Sequence, residues 1–182
     1  MKIIKATKET HYQEFLNHCP HQSVSKEYLK KNITYILVFK GEVAGGYVFG
    51  NTYPYRYTEH ITDKIDKQKM LHFTAYNNVT EITCMWIKPE LKKSYVSKFM
   101  WASIGYKGYF GNAEYYLFGT KSKKFAKVLN FPMSTKRLMS SNTDDRKKYH
   151  FFIADRKKTI LGAFEILMGL FIKKPNQELI SE

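Results

Sequence analysis

The junction between "VTEITCMWIK" (79–88) and "PELKKSYVSKFMWASIGY" (89–106) constrains the fold more than any other stretch. The first run is rich in β-branched and aromatic residues and reads as a strand. Pro89 ends it, because proline cannot donate to a strand ladder. From about Leu91 to Tyr106 a helix is predicted, with Val96, Phe99, Met100 and Ile104 on one face. A strand that runs straight into a helix calls for a mixed α/β architecture.

The rest of the chain extends that pattern. "KIIKAT" (2–7) reads as a first strand, and "KETHYQEFLNHC" (8–19) has helical apolar spacing. "SVSKEYLKKN" (23–32) reads as a short second helix capped by Ser23 or Ser25. Two β-rich runs flank Lys40-Gly41-Glu42 in "TYILVFKGEVAGGYVFGN" (34–51), which predicts a hairpin. "TDKIDKQKML" (62–71) is a helix or a loop. "EYYLFGT" (114–120) reads as a strand and "SKKFAKVLNF" (122–131) as a helix. "MSTKRLMS" (133–140) and "KKYHFFIAD" (147–155) read as an antiparallel pair around "SNTDD", and a closing helix starts near Arg156. At 182 residues this predicts one domain: a core over 1–155, a C-terminal helix over 156–174 and a tail over 175–182.

The formal net charge of +14 and pI near 9.6 point to a polyanionic partner such as nucleic acid, an acidic protein or an anionic surface. Cys19 and Cys84 suggest no disulfide framework, so a reducing compartment is expected. "MKIIKATKETHYQEF" lacks the apolar centre of a signal peptide. The apolar run Thr159–Ile172 contains Glu165 and is too short to cross a bilayer. The expectation is a cytoplasmic protein of a bacterium or a phage-infected cell.

Single residues carry candidate chemistry. Glu81 reads either as a general base beside an amine or as a strand carboxylate paired to a lysine. Cys84 reads as a nucleophile or as an inert buried thiol. "HCPH" groups His18, Cys19 and His21, but this does not complete a tetrahedral metal site and no metal is expected. "NTYPYRYTEH" (51–60) places Tyr53, Tyr55 and Tyr57 around Arg56, a set that stacks on unpaired bases or covers the core. Lys92, Lys93 and Lys98 form one basic group, Lys121, Lys123, Lys124 and Lys127 a second, and Arg146, Lys147 and Lys148 a third. The first two lie at or beside helix starts, where lysines bind phosphate as point charges. The last helix carries Phe164, Leu167, Met168 and Phe171, which pack on the core or form a homodimer.

The element order resembles the general N-acetyltransferase (GNAT) fold: a mixed, mainly antiparallel sheet flanked by helices, here with an extra C-terminal helix. In that family a central strand leads into a loop that holds the acyl-CoA pyrophosphate at a helix N-terminus. "FAKVLNF" (125–131) stands where the family has a "YxxLGF"-like segment. The loop's two glycines fall near Tyr95 and Ser97, and the tyrosine general acid falls near Ala126. "EITCMWIKPELKKSYVSKFM" (81–100) further resembles the Mom-type phage DNA-modification proteins, through Glu81, Met85, Trp86, Ser97, Lys98 and Phe99. Gly45, Phe49 and Gly50 of the hairpin, and "LNF" at 129–131, extend that likeness.

These resemblances imply acyl transfer to an amine, with acetyl-CoA or another acyl-CoA as donor and a nucleobase of DNA as the favoured acceptor. Trp86, Ile87, Lys92, Lys93, Ser94, Tyr95, Ser97 and Lys98 would hold the donor, and Glu81 and Cys84 would be catalytic. His18, His21, Tyr53, Tyr55, Arg56, Tyr57, Lys121, Lys123 and Lys124 would meet the acceptor. Two other readings fit the same residues: an acyl carrier protein as donor, or a non-catalytic basic factor that binds DNA or an acidic host protein.

Overall fold

The computed structural model describes residues 1–20, 24–123, 126, 136–142 and 148–168. Strand β1 (Lys2–Lys5) precedes helices α1 (Glu9–His18) and α2 (Lys26–Lys31). Strands β2 (Ile33–Phe39) and β3 (Glu42–Gly50) then form the expected hairpin. Its two-residue turn holds Lys40 at φ 51° and Gly41 at φ 87°, the left-handed pair that matches strand twist. A four-residue helix α3 (Arg56–Glu59), helix α4 (Lys64–Tyr76), strand β4 (Val79–Ile87), a 3-10 turn (Pro89–Leu91) and helix α5 (Tyr95–Tyr109) follow. The chain continues with β5 (Tyr115–Thr120), β6 (Lys136–Asn142), β7 (Lys148–Asp155) and α6 (Arg156–Met168).

The segment 62–71 therefore resolves as helix, capped by Asp63, whose carboxylate accepts from the Asp66 N–H at 2.9 Å. The helix expected over 122–131 lies mostly outside the described residues, as does the closing helix beyond Met168 and the 175–182 tail.

Among the described residues the sheet has seven strands in the order β1-β2-β3-β4-β5-β7-β6. All neighbours are antiparallel except β4 and β5. That parallel pairing is short: Val79, Thr80 and Glu81 face Tyr115, Tyr116 and Leu117. Beyond it, β4 runs on to Ile87 and β5 to Thr120 without pairing to each other. The two central strands thus separate at one end, and the gap runs through the sheet.

Strand alternation sends side chains to two faces. On one face, Tyr47, Phe49, Ile82, Tyr116, Phe118 and Phe152 pack under α5 through Val96, Met100 and Ile104. Helix α6 lies against α5, with Thr159 buried and its Cγ2 close to Gly108. Leu161 and Phe164 of α6 remain exposed. On the other face, Phe15 and Leu29 of α1 and α2 pack on Ile36, Val48, Cys84 and Trp86. A neighbouring cluster joins Tyr55, Tyr57, Ile61 and Met70 to Val79, Leu117 and Phe151. Among the described residues no helix is long and apolar enough to cross a membrane.

Candidate functional site

Strand β4 carries a bulge at the mouth of the gap. Val48 pairs with Thr83 and Gly46 with Trp86, so Tyr47 alone stands opposite Cys84 and Met85. Cys84 sits at φ 52°, a left-handed conformation that costs a non-glycine residue roughly 1 kcal/mol or more. A bulge leaves ladder groups unpaired and re-aims side chains. Here it does so at the point where β5 leaves β4.

The gap opens into a cavity of about 820 Å³. Met85, Ile87, Lys92, Ser97, Met100 and Trp101 line it from the α5 face. Arg56, Tyr57, Cys84, Trp86 and Tyr149 line it from the opposite face, joined by Pro20 and His60. Gly119, Thr120, Lys121 and Ser122 form the β5 rim. No Asp or Glu is among the described lining residues. Nor does any group of three or more His, Cys, Asp or Glu among the described residues suit a metal ion.

At the α5 end, Ser94 caps the helix, its Oγ accepting from the Val96 N–H at 3.1 Å. Ser97, 9% exposed, donates through Oγ to the Ser94 carbonyl and contributes to the cavity wall. The ring of Tyr95 packs edge-on against Phe39 of β2, is 57% exposed and does not line the cavity. The tyrosine at the expected glycine position therefore leaves the helix start open. Lys93, Ser94 and Lys98 also lie outside the lining, whereas Trp86, Ile87, Lys92 and Ser97 are in it.

Glu81 lies behind the site. It is fully buried and does not line the cavity. Its Oε1 accepts from the Tyr28 hydroxyl at 2.7 Å and from the Arg56 N–H at 3.0 Å, and its Oε2 accepts from the Tyr57 N–H at 3.1 Å. Burial raises its pKa, against the lowering effect of these donors and of Arg56. The carboxylate thus fastens the start of α3 to β4, and the fastening orients Arg56 and Tyr57. Gly50 makes the space: a Cβ there would stand 2.5 Å from Glu81 Cγ and 2.8 Å from the Tyr28 hydroxyl.

Arg56 is 8% exposed, with Nη1 3.4 Å from both Thr83 Oγ1 and Cys84 Sγ. Burial pushes the Cys84 thiol up to about 11, and the Arg56 charge offsets only part of this. Cys84 is therefore a thiol at neutral pH, which leaves it a weak nucleophile. Its backbone angle, more than its sulfur, shapes the site. Cys84→Ala is expected to stay within about 1 kcal/mol of wild type, because alanine keeps the same backbone cost. Cys84→Val should lose about 2 kcal/mol or more, since a β-branched residue tolerates positive φ poorly. Urea denaturation of both variants checks the difference.

The aromatic wall comes from three elements. Tyr149 stacks on His60 at 5.9 Å and on Phe151 at 4.9 Å, and meets Tyr57 edge-on at 6.0 Å. Gly119 is what lets them approach β5: a Cβ there would lie 2.5 Å from the Tyr149 ring and 2.7 Å from that of Tyr57. Burial raises the Tyr149 phenol well above its usual value. Trp86 stacks on His18 at 5.6 Å, and its Nε1–H is buried without an acceptor among the described residues.

The other acceptor candidates fall apart spatially. Arg56, Tyr57 and Lys121 line the cavity; His18, Tyr53, Tyr55 and Lys123 do not. Tyr53 is exposed, and Tyr55 donates its hydroxyl to the Val79 carbonyl. His21 and Lys124 lie outside the described residues. Ala126, where the resemblance led to the expectation of a general acid, packs against the α5-side core. Sequence reasoning named Lys121 of the rim and the 51–60 stretch that ends at His60, but missed Tyr149, Trp101, Gly119, Thr120 and Ser122. The period-two alternation of Tyr149 and Phe151 was a usable signal for a shared strand face.

No protein-family model matches the sequence, and no curated protein matches it. Solved structures do. A Bacillus subtilis acetyltransferase in complex with CoA superposes with a TM-score of 0.58 at 17% identity, covering 85% of this chain and 97% of that one. A GNAT-family acetyltransferase from Elizabethkingia anophelis with acetyl-CoA bound gives 0.55 at 12% identity, covering 85% and 97%. An aminoglycoside 6′-acetyltransferase type Ii gives 0.57 at 10% identity, covering 86% and 97%. With seven strands among the described residues, a bulged β4 and the gap between β4 and β5, the chain has the fold of the GNAT acetyltransferases.

Proposed function

We propose that the protein is an N-acyltransferase that moves an acyl group from an acyl-CoA to an amine. The observation that carries this reading is the continuous cavity between the diverging ends of β4 and β5, with a helix start on one side and a cationic, aromatic recess on the other. The similar structures that hold CoA or acetyl-CoA support the donor class. Helix N–H groups and the α5 dipole favour an anion at the Ser94–Ser97 turn, and Lys92 adds a point charge there.

Bound acyl-CoA would supply a thioester, whose C–S bond breaks as the acceptor nitrogen forms the C–N bond. The chain's own groups would do the rest. The bulged backbone at Cys84 and Met85 offers unpaired ladder groups to polarise the acyl oxygen. Tyr149 stays protonated and can give its proton to the departing sulfur. The proton lost by the amine leaves to water, because no carboxylate is among the described lining residues. Glu81 acts at one remove, by holding Arg56 and Tyr57 in place.

A nucleobase of DNA remains the favoured acceptor on the charge of +14 and the rim lysine Lys121. The test is thiol release from acetyl-CoA by the purified protein, with single-stranded DNA and small amines as acceptors. Mass spectrometry of the nucleosides follows. Release with a new acylated product supports the reading; an inert, folded protein that leaves every amine unmodified counts against it.

A further inference from the structure

A second cavity, of about 630 Å³, is lined by Val79 and Thr80 at the start of β4 and by Tyr106, Lys107 and Phe110 around the end of α5. It shares no described lining residue with the gap between β4 and β5. Two of its rings are open. Tyr106 is 59% and Phe110 66% exposed. They meet each other at 4.8 Å, and Tyr109 meets Phe110 at 5.2 Å and a right angle, so most of both rings faces solvent. Lys107 is half-buried, with Nζ 4.5 Å from the centre of the Tyr35 ring. That contact places the ammonium without neutralising it. Lys107 makes no ion pair among the described residues. Arg156 brings a second cation to the rim, its Nη1 donating to the Gly111 carbonyl at 3.4 Å. Two carboxylates stand near the lining without joining it. Glu81 acts on Tyr55 but is fully buried with its own donors, and Glu114 follows Ala113.

The remaining wall is made of amides. Asn51 Oδ1 accepts from Thr80 Oγ1 at 2.6 Å, which leaves its amide N–H groups unused among the described residues. Asn77 and Asn78 donate through Nδ2 to the Phe73 and Asn112 carbonyls at 2.7 and 2.8 Å, which leaves their amide oxygens unused there. Unused amide donors and acceptors complement the edge of a nucleobase. Exposed rings accept its face by stacking, and a lysine holds phosphate as a point charge. A neutral sugar would have no use for Lys107, and a bare anion none for the rings.

We propose that this cavity is a nucleotide site separate from the acyl-CoA gap. The base stacks on Tyr106 and Phe110, its edge meets the asparagine amides, and the phosphate pairs with Lys107. A free nucleotide and one unit of a single strand share this chemistry. The site does not depend on acyl transfer.

The test is calorimetry on the full chain with CoA in millimolar excess, so that a donor site in the gap is already filled. Failure of CoA itself to bind counts against the acyl-transfer reading and leaves this comparison intact. The probes are adenosine 5′-monophosphate, adenosine, ribose 5-phosphate and a single-stranded oligodeoxyadenylate hexamer. The monophosphate should bind roughly tenfold tighter than adenosine, which lacks the phosphate, and than ribose 5-phosphate, which lacks the base. A hexamer that binds tighter still assigns the site to a strand; a hexamer that binds no better assigns it to a free nucleotide. Tyr106→Ala and Phe110→Ala change exposed rings and should fold normally by thermal melt, yet each should weaken the monophosphate severalfold. Lys107→Gln should erase the advantage over adenosine, and Lys107→Arg should keep most of it. Equal binding of adenosine or ribose 5-phosphate, no binding of any probe at millimolar concentration, or an affinity unchanged in Tyr106→Ala and Phe110→Ala would overturn the proposal.

Discussion

The Glu81→Ala variant is expected to lose about 3–5 kcal/mol of stability, the range for removing one partner from a buried charged hydrogen-bond set. Alanine would strand three donors: the Tyr28 hydroxyl and the N–H groups of Arg56 and Tyr57. A buried donor left unpaired costs about 1–3 kcal/mol, so the sum is large even after partial relaxation. The loss should be local as well as global. Helix α3 has four residues, too few to persist without this anchor. Hydrogen exchange at the Arg56 and Tyr57 amides should therefore accelerate in Glu81→Gln, the milder variant, before global unfolding does. The pH dependence has a defined sign. The folded state holds the Glu81 proton more tightly than the unfolded chain. Its contribution is fully present below the ordinary value of about 4.3 and is lost as pH rises through the raised folded value. Glu81→Ala should remove that slope from the stability–pH curve.

Tyr149→Phe is expected to lower kcat by about 10²-fold, the lower end of what a positioned acid supplies. The proposed role requires the hydroxyl alone, so acetyl-CoA affinity should not change, and stability should change little because the ring contacts with His60, Tyr57 and Phe151 remain. A fall in kcat with unchanged donor affinity separates proton donation from packing. The wild-type pH profile adds a second readout: the phenol is raised, so its alkaline limb should lie above pH ~10, the usual tyrosine value. An unchanged kcat in Tyr149→Phe would remove the phenol from the reaction.

Local patterns made the scaffold legible in the sequence. The Lys40-Gly41 turn, the Pro89 stop and the apolar stripe of α5 all act through near neighbours, and all appear in the structure. The 62–71 segment stayed open because its helix buries few side chains, chiefly Met70 and Thr74, and so shows little apolar periodicity. The site was less legible because it depends on distant pairings. Tyr149 reaches the cavity only because β7 pairs with β5, and Gly119 matters only because two rings press on it. The left-handed turn at Cys84 gave no signal, since that conformation is usually written with glycine. Tyr95 shows the opposite failure: its place near an expected loop glycine put it among the donor-holding residues, yet its ring turns to Phe39 and does not line the cavity.

The gap between β4 and β5 is proposed to be an acyl-CoA site. Calorimetric titration of CoA and acetyl-CoA into the full chain tests it most directly. One site per chain is expected, with Kd between about 1 μM and 1 mM, the usual range for enzyme substrates. Binding should weaken when Lys92 is replaced by glutamate. No heat of binding and no rise in Tm at several millimolar ligand, with the protein folded, would contradict it.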